Sequence, residues 1–299
     1  MKARVVWLIL CGIWGSTWLF IKLGLSDLPP LTFAGIRFVI ACAILVSIIW
    51  ARRIRLPQGS GDWILLLVTG ILSFSLNYGL IFWGEQHISS GLAALLQATI
   101  PAFGLVFAHL YLPAERMTWA KIGGVALGVF GVGIVFSNQL TVSGTRALAG
   151  CVAVVFGSAC AAYSNVLIKA RGTHLDPAIL AAGQMFFGLI PLWLIGVPTE
   201  GSPINFHWTM MAVISLLYLA IVGSVIAFLL YYWLVHNMDV TKSMLIALVT
   251  PVVAVILGMI VLNEALSWRT VVGGAMIMGG IGFIVLSRRK SAMVLQETA

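Results

Sequence analysis

Residues 209–233 read TMMAVISLLYLAIVGSVIAFLLYYW, an apolar run that contains no Asp, Glu, Lys or Arg. Coiled into a helix at about 1.5 Å per residue, such a run is long enough to cross the roughly 30 Å hydrocarbon core of a bilayer. In water it would need a polar shell, and the chain has none to give: 61% of its 299 residues are apolar, only 9% are charged, and the mean hydropathy is +1.07. A soluble domain devotes about a quarter of its residues to charge. The fold class that follows is an all-α integral membrane protein.

Further apolar segments fall near 5–24, 31–50, 63–83, 91–111 and 119–137, then 148–168, 178–196, 243–262 and 268–287. The polar stretch from Ser137-Asn138-Gln139 to Arg146 separates the two sets, and Arg288-Arg289-Lys290 closes the second. This predicts ten transmembrane helices: a five-helix unit over 1–139, a second over 147–290, and a tail over 291–299. With the N-terminus in the cytoplasm, Lys2, Arg4, Arg52, Arg53, Arg55, Arg116, Lys121, Lys169, Arg171, Lys242 and the closing triplet lie inside, and only Arg146 and Arg269 outside. Positive charge concentrates in cytoplasmic loops, so both termini are expected there.

The net charge of +8 comes from Lys and Arg scattered singly or in threes between apolar runs, which reads as topology rather than a nucleic-acid surface. Cys11, Cys42, Cys151 and Cys160 sit inside apolar runs without a CxxC or other metal spacing, so neither a disulfide framework nor a metal site is expected. The first apolar run follows Lys2 and Arg4 as a signal peptide would, but it is long and lacks a small-residue cleavage site, and it reads as a retained helix.

The two sets of helices repeat each other. At a shift of 147, Ile21-Lys22 falls on Ile168-Lys169 and Pro30 on Pro177; at 150, Trp83 falls on Trp233 and Pro101 on Pro251. At 149, Glu115, Trp119, Gly124, Gly131 and Gly133 fall on Glu264, Trp268, Gly273, Gly280 and Gly282. An odd number of helices per copy means that the second enters the membrane from the opposite side, giving two inverted five-helix repeats. Copies related in this way can exchange conformations and expose a shared centre to each side in turn.

The motifs Trp14-Gly15-Ser16-Thr17 leading to Lys22, Pro30 then Arg37, Ala98-Thr99-Ile100-Pro101, and Glu115 before a glycine-rich helix carry a resemblance. They repeat as Ile168-Lys169, Val249-Thr250-Pro251 and Asn263-Glu264. Over essentially all of residues 5–287 the sequence resembles the drug/metabolite transporter superfamily, and within it the EamA-type ten-helix exporters. The resemblance implies helices one to four and six to nine arranged around a central cavity, five and ten outside it, and export of amino acids, related metabolites or toxic compounds from a bacterial inner membrane.

Polar groups inside lipid are expensive, roughly 2.5–3.5 kcal/mol for a central charge on insertion scales, so each prompts a hypothesis. Lys22 and Lys169 can either snorkel to an interface or gate; Arg37, about 10 Å deep by helical rise, needs a partner or serves as a gate, with Asp27 and Glu85 the nearest acidic candidates. Helical spacing puts Trp14, Thr17, Trp18 and Lys22 on one face, and Asn77, Tyr78 and Phe82 on another, answered in the second half by Tyr231 and Tyr232. Gln97, Tyr163, Asn165, Gln184 and Thr250 add uncharged hydrogen-bonding groups near mid-membrane, and together these are the expected substrate-cavity residues. Any one of them could instead simply bond across helices or fill core. Pro101 and Pro251 are candidate hinges, Glu115 and Glu264 candidate caps or interfacial ion pairs, and the glycines of helices five and ten a close packing surface or a dimer face.

No P-loop, HExxH, GxSxG or paired carboxylates occur, so catalytic residues, cofactors and metals are not expected. The reading is a secondary transporter exporting amino acids or similar small metabolites by alternating access, as a monomer or homodimer, whose partners are a small-molecule substrate and the lipid bilayer. A multidrug or nucleoside-type transporter, or a lipid-acting membrane enzyme or subunit, are the alternatives.

Overall fold

The computed structural model describes residues 2–111, 118–142, 144–237 and 246–297, and among them there is no β-strand. The helices are α1 (Lys2–Gly24), α2 (Pro30–Ala51), α3 (Ser60–Glu85), α4 (Ser90–Tyr111), α5 (Trp119–Val142), α6 (Gly144–Arg171), α7 (Pro177–Glu200), α8 (Met210 through Asn237), α9 (Ile246–Val261) and α10 (Trp268–Glu297). Seven segments, within α1 to α4 and α6 to α8, are long and apolar enough to cross a bilayer; Lys121–Ser137 and Ile246–Val261 are shorter apolar helices. Helix is the outcome lipid demands, because it satisfies backbone donors and acceptors within the segment. Glu115, Arg116 and Lys242 lie outside the described residues.

The helix starts are written locally. Ser89 accepts the Leu92 amide at 3.2 Å, Thr209 accepts Ala212 at 3.1 Å, and Asp176 accepts Ala178 at 2.8 Å. Each relieves an amide donor that has no intrahelical acceptor. Pro30 and Pro177 occupy first turns, where the missing N–H costs nothing. The two prolines expected to act as hinges behave differently. α4 is interrupted between Gln97 and Ile100, just before Pro101, and the Thr99 hydroxyl donates to the Leu96 carbonyl at 2.6 Å, whereas Pro251 sits in a continuous helix. α3 and α8 each contain a π-helical stretch, Ile71–Asn77 and Tyr218–Ile226, a widened geometry frequent at functional sites.

α2 packs along α7, α1 lies against α8 and α9, α6 against α3 and α4, and α5 against α10. Most buried side chains join one apolar cluster running through α2, α3, α4, α7 and α8. The α5–α10 contact is a backbone approach: a Cβ added at Gly131 would lie 2.5 Å from the Gly273 carbonyl oxygen, and one at Gly273 would lie 2.7 Å from that of Gly131. Gly131, Gly273 and Gly280 therefore serve packing within the chain. Around Gly133 the space is open.

Gly131→Val is accordingly expected to destabilise the protein by about 1–3 kcal/mol through overpacking, while Gly133→Ala leaves the thermal unfolding midpoint in detergent unchanged. Equal midpoints for the two variants would contradict the backbone contact.

Candidate functional site

Arg37 on α2 is 2% exposed. Its Nε donates to Ser224 Oγ at 3.1 Å, and its guanidinium carbon lies 5.0 Å from the Tyr78 ring centroid, 5.2 Å from Phe38 and 5.9 Å from Phe82. Ser224 belongs to the π-helical stretch of α8, and Tyr78 and Phe82 follow that of α3, so the cation ties α2 to both. Nη1 has no hydrogen-bond partner. Neither acidic candidate reaches it: Asp27 accepts the Thr209 hydroxyl at 2.6 Å and lies 3.4 Å from His207, while Glu85 faces Lys22. The expected pairing of Arg37 with Asp27 or Glu85 is thus not what the fold builds, because aromatic faces and a serine surround the guanidinium instead. The Thr209 bond, seconded by His207, holds the Asp27 carboxyl below its usual range.

Rings continue outward from this point. Tyr78 and Phe74 stack at 5.7 Å, Phe74 meets Phe228 at 6.4 Å, and Trp14 meets Phe228 at 6.3 Å and Tyr231 at 5.3 Å. Trp14 and Thr17 of α1 thereby face α8, and Thr17 closes on Gly223, whose added Cβ would lie 2.9 Å from the Thr17 methyl. Ser16 and Tyr218 share a hydrogen bond of 2.6 Å across the same pair of helices.

A second, uncharged network lies where α3, α4 and α6 meet. Gln97 Nε2 donates to Asn77 Oδ1 at 3.1 Å and Ser158 Oγ donates to Gln97 Oε1 at 2.8 Å. Gly157 permits this, since an added Cβ there would lie 3.1 Å from the Asn77 carbonyl oxygen. Gln97 is the last residue before the break in α4, so the hydrogen-bonding side chain and the helix interruption coincide.

At the Gly24 end of α1 the charges cluster. Lys22 Nζ donates to the Glu85 carbonyl and, at 2.7 Å, to that of Ile88, at the end of α3. Glu264 folds back after Asn263, a left-handed residue at φ 53°, and its carboxylate accepts Ser90 N at 2.7 Å, Ser90 Oγ at 3.0 Å and Gly91 N at 3.2 Å. It caps α4, where an anion also meets the positive end of the helix dipole. Glu200 does the same for α2, accepting Leu31 N at 2.8 Å, Thr32 N at 2.7 Å and Thr32 Oγ1 at 2.6 Å. Lys22, Glu85 and Glu264 line a pocket of about 490 Å³, and both carboxylate oxygens of Glu85 are buried without a hydrogen-bond partner.

Of the residues singled out from sequence, Tyr78 and Phe82 lie against Arg37 with Thr17 next to it, Trp14 and Tyr231 stand at the far end of the ring series, and Asn77 joins Gln97. Trp18 and Gln184 are buried, the latter with its Nε2 unpartnered. Thr250 lies at the α1–α9 contact, its carbonyl oxygen 3.2 Å from a Cβ built at Gly15. Tyr163 sits apart, against Phe107 at 5.4 Å and Tyr111 at 5.3 Å. Asn165 and Lys169 are exposed toward the end of α6, and the Tyr232 side chain falls outside the described residues. Ser158, Ser224 and Glu200 were missed by sequence reasoning. A hydroxyl in an apolar run can satisfy itself on its own helix, as Ser158 also does on Val154 at 2.8 Å, so its type and spacing carry no signal of a distant partner.

The class these features define is a polytopic helical membrane protein that keeps a cation, aromatic faces and uncharged hydrogen-bonding groups among its apolar helices. The chain belongs to the EamA-like transporter family, which it matches over residues 2–137 and 148–286. It is 28% identical to the uncharacterized transporter YoaV of Bacillus subtilis, over 93% of this chain and 95% of that one. It is 30% identical to the uncharacterized inner membrane transporter YedA of Escherichia coli K12, over 85% and 81%. A protein of Escherichia coli K12 named "Probable amino-acid metabolite efflux pump" is 26% identical over 96% of each chain. A solved crystal structure shares the fold, with a TM-score of 0.67 at 20% identity, covering 97% of this chain and 98% of that one.

Gln97→Ala removes a partner from both Asn77 and Ser158 and is expected to cost about 0.5–1.5 kcal/mol, within the range of hydrogen bonds between membrane helices. Asn165→Ala is expected to be silent in the same thermal unfolding assay.

Proposed function

We propose that this protein is a secondary exporter of amino acids or similar small metabolites, working by alternating access with both termini in the cytoplasm of a bacterial inner-membrane multi-pass topology. In this reading ten helices span the membrane as two inverted repeats, residues 1–139 and 147–290, followed by a cytoplasmic tail from 291. The observation that carries it is the way helix contacts exchange under the 147–150 residue shift. α1 on α9 corresponds to α6 on α4, α3 on α6 to α8 on α1, and α3 on α7 to α8 on α2, while α2–α7, α4–α9 and α5–α10 correspond to themselves. The π-helical stretches of α3 and α8 correspond at the same shift. An assembly with such pairing can interchange the roles of its halves, which is what a carrier without an energy-consuming domain requires. The likeness to a protein named as an amino-acid metabolite efflux pump supports the substrate class.

In this reading Trp14, Thr17, Trp18, Asn77, Tyr78, Phe82, Gln97, Gln184, Tyr231 and Thr250 form the substrate path, and Tyr163, Asn165 and Tyr232 are assigned to it on sequence alone. Lys22 acts as a gate, pinning α1 to the α3–α4 loop by hydrogen bonds to main-chain carbonyls that can be broken without moving a covalent element. Lys169 serves the corresponding place at the opposite end, and Arg37 holds α2 to α3 and α8 across the interface of the halves. Pro101, beside the interruption of α4, is a hinge, with Pro251 its counterpart in α9.

Two measurements test this. Purified protein in liposomes loaded with unlabelled amino acids is expected to accumulate labelled amino acid by counterflow, with Gln97→Ala and Tyr78→Ala lowering the rate about tenfold or more; no exchange of any amino acid would sink the reading. Cysteine accessibility in intact cells is expected to place the Ser26–Pro29 and Gly201–Trp208 loops outside and Pro57–Gly59 inside, and halves inserted in the same direction would rule out the inverted arrangement.

A further inference from the structure

Arg37 presents an unbalanced account of charge. A guanidinium carries five N–H donors and cannot be deprotonated in a protein. Here it is sealed from solvent, Nε is spent on Ser224, the Tyr78 phenol takes a further hydrogen bond, Nη1 has no acceptor, and no Asp or Glu oxygen lies within 4 Å among the described residues. Three rings supply cation–π attraction, which steadies the charge without neutralising it. A buried charge is normally paired or engaged with a ligand. Everything else close by is either apolar or a neutral hydroxyl: Phe38, Phe82, Tyr78 and Ser224 touch it, and Thr17 and Gly223 lie next to it.

The location adds the second half of the inference. Arg37 bridges α2 to the π-helical stretch of α8 and to the turns that follow that of α3, and the ring series from Phe74 to Trp14 begins at its side. A small molecule lying there would meet a cation at one end and aromatic surface along its length. Gly223 lets α1 pack closely on α8 beside the cation, since a Cβ there would lie 2.9 Å from the Thr17 methyl and 3.7 Å from Arg37 Nη2. Arginine matches a planar anion with two parallel N–H donors, which neither a phenol nor an amide can offer.

We propose that Arg37 is the anchor for the carboxylate of the transported molecule, which restricts the substrate class to carboxylic acids and amino acids with an apolar or aromatic remainder. This rests on the transport reading above and makes it specific: the ligand supplies the missing counter-anion, and Phe74, Tyr78 and Phe228 take its apolar part. An amine or amide of the same shape leaves the guanidinium uncompensated and adds a second cation or a dipole to an apolar site. Charge-assisted hydrogen bonds of this kind discriminate by about 1.5–3 kcal/mol, which corresponds to about ten- to a hundredfold in affinity.

The test is competition in proteoliposomes that exchange labelled L-phenylalanine. Unlabelled L-phenylalanine and 3-phenylpropionate are expected to compete, whereas L-phenylalaninamide and phenethylamine compete at least tenfold more weakly; this series needs only the wild-type protein. Arg37→Met is expected to abolish the preference, and Arg37→Lys, which keeps the charge but loses the planar fork, to weaken carboxylate competition about tenfold while retaining its direction. Equal competition by the amide and the acid in the wild type, or an undiminished preference in a folded Arg37→Met variant, overturns the assignment and leaves transport standing. Absence of exchange with phenylalanine and with every other labelled amino acid overturns transport itself and the anchor with it.

Discussion

Lipid offers no hydrogen bonds, and that constraint governs how every polar group in this chain is disposed. The backbone answers it by coiling, which leaves the ends of each helix as the places where donors and acceptors are still open. In this protein several of those ends are closed by side chains from distant helices. Glu200 closes the start of α2, Glu264 the start of α4, and Lys22 the carbonyls at the end of α3. Acid meets the amino end of a helix and base meets the carbonyl end, so sign and dipole agree at each junction. These contacts are also the joints between α7 and α2, between the segment after α9 and α4, and between α1 and the end of α3.

The same constraint separates two kinds of interior site. Gln97, Asn77 and Ser158 satisfy one another with neutral hydrogen bonds and bind α3, α4 and α6 beside the interruption of α4. Arg37 is incompletely satisfied: rings, one serine and the Tyr78 phenol hold it, and Nη1 is left without an acceptor. A network that closes on itself contributes to holding the fold together, and a group left open invites a ligand. That contrast is visible only in three dimensions, because both sites read in sequence as isolated polar residues in apolar helices.

Much of the architecture was legible beforehand for a simple reason. Transfer of an apolar run into lipid depends on its own composition and length, so the helices of residues 2–111 and 144–237 follow from their segments alone. Faces were legible through helical spacing: Trp14 and Thr17 do point the same way, toward α8, and Tyr78 and Phe82 both reach Arg37. Positions along the chain were less informative about company. Tyr163 and Asn165 have the composition of a binding surface, yet one packs on Tyr111 and Phe107 and the other is exposed, since neighbours on one helix diverge by about 200° over two residues.

The sequence by itself determined that this chain lives in a bilayer, where its helices begin, and that glycines and a few polar residues punctuate them, because each of those properties is paid for locally, residue by residue. Tertiary structure alone decided the partners. Ser16 finds Tyr218, Arg37 finds Ser224 and Ser90 finds Glu264 across 202, 187 and 174 residues of chain. No periodicity spans such distances; in lipid a polar group takes the complementary group that helix packing brings within about 3 Å, and packing is a property of the whole bundle.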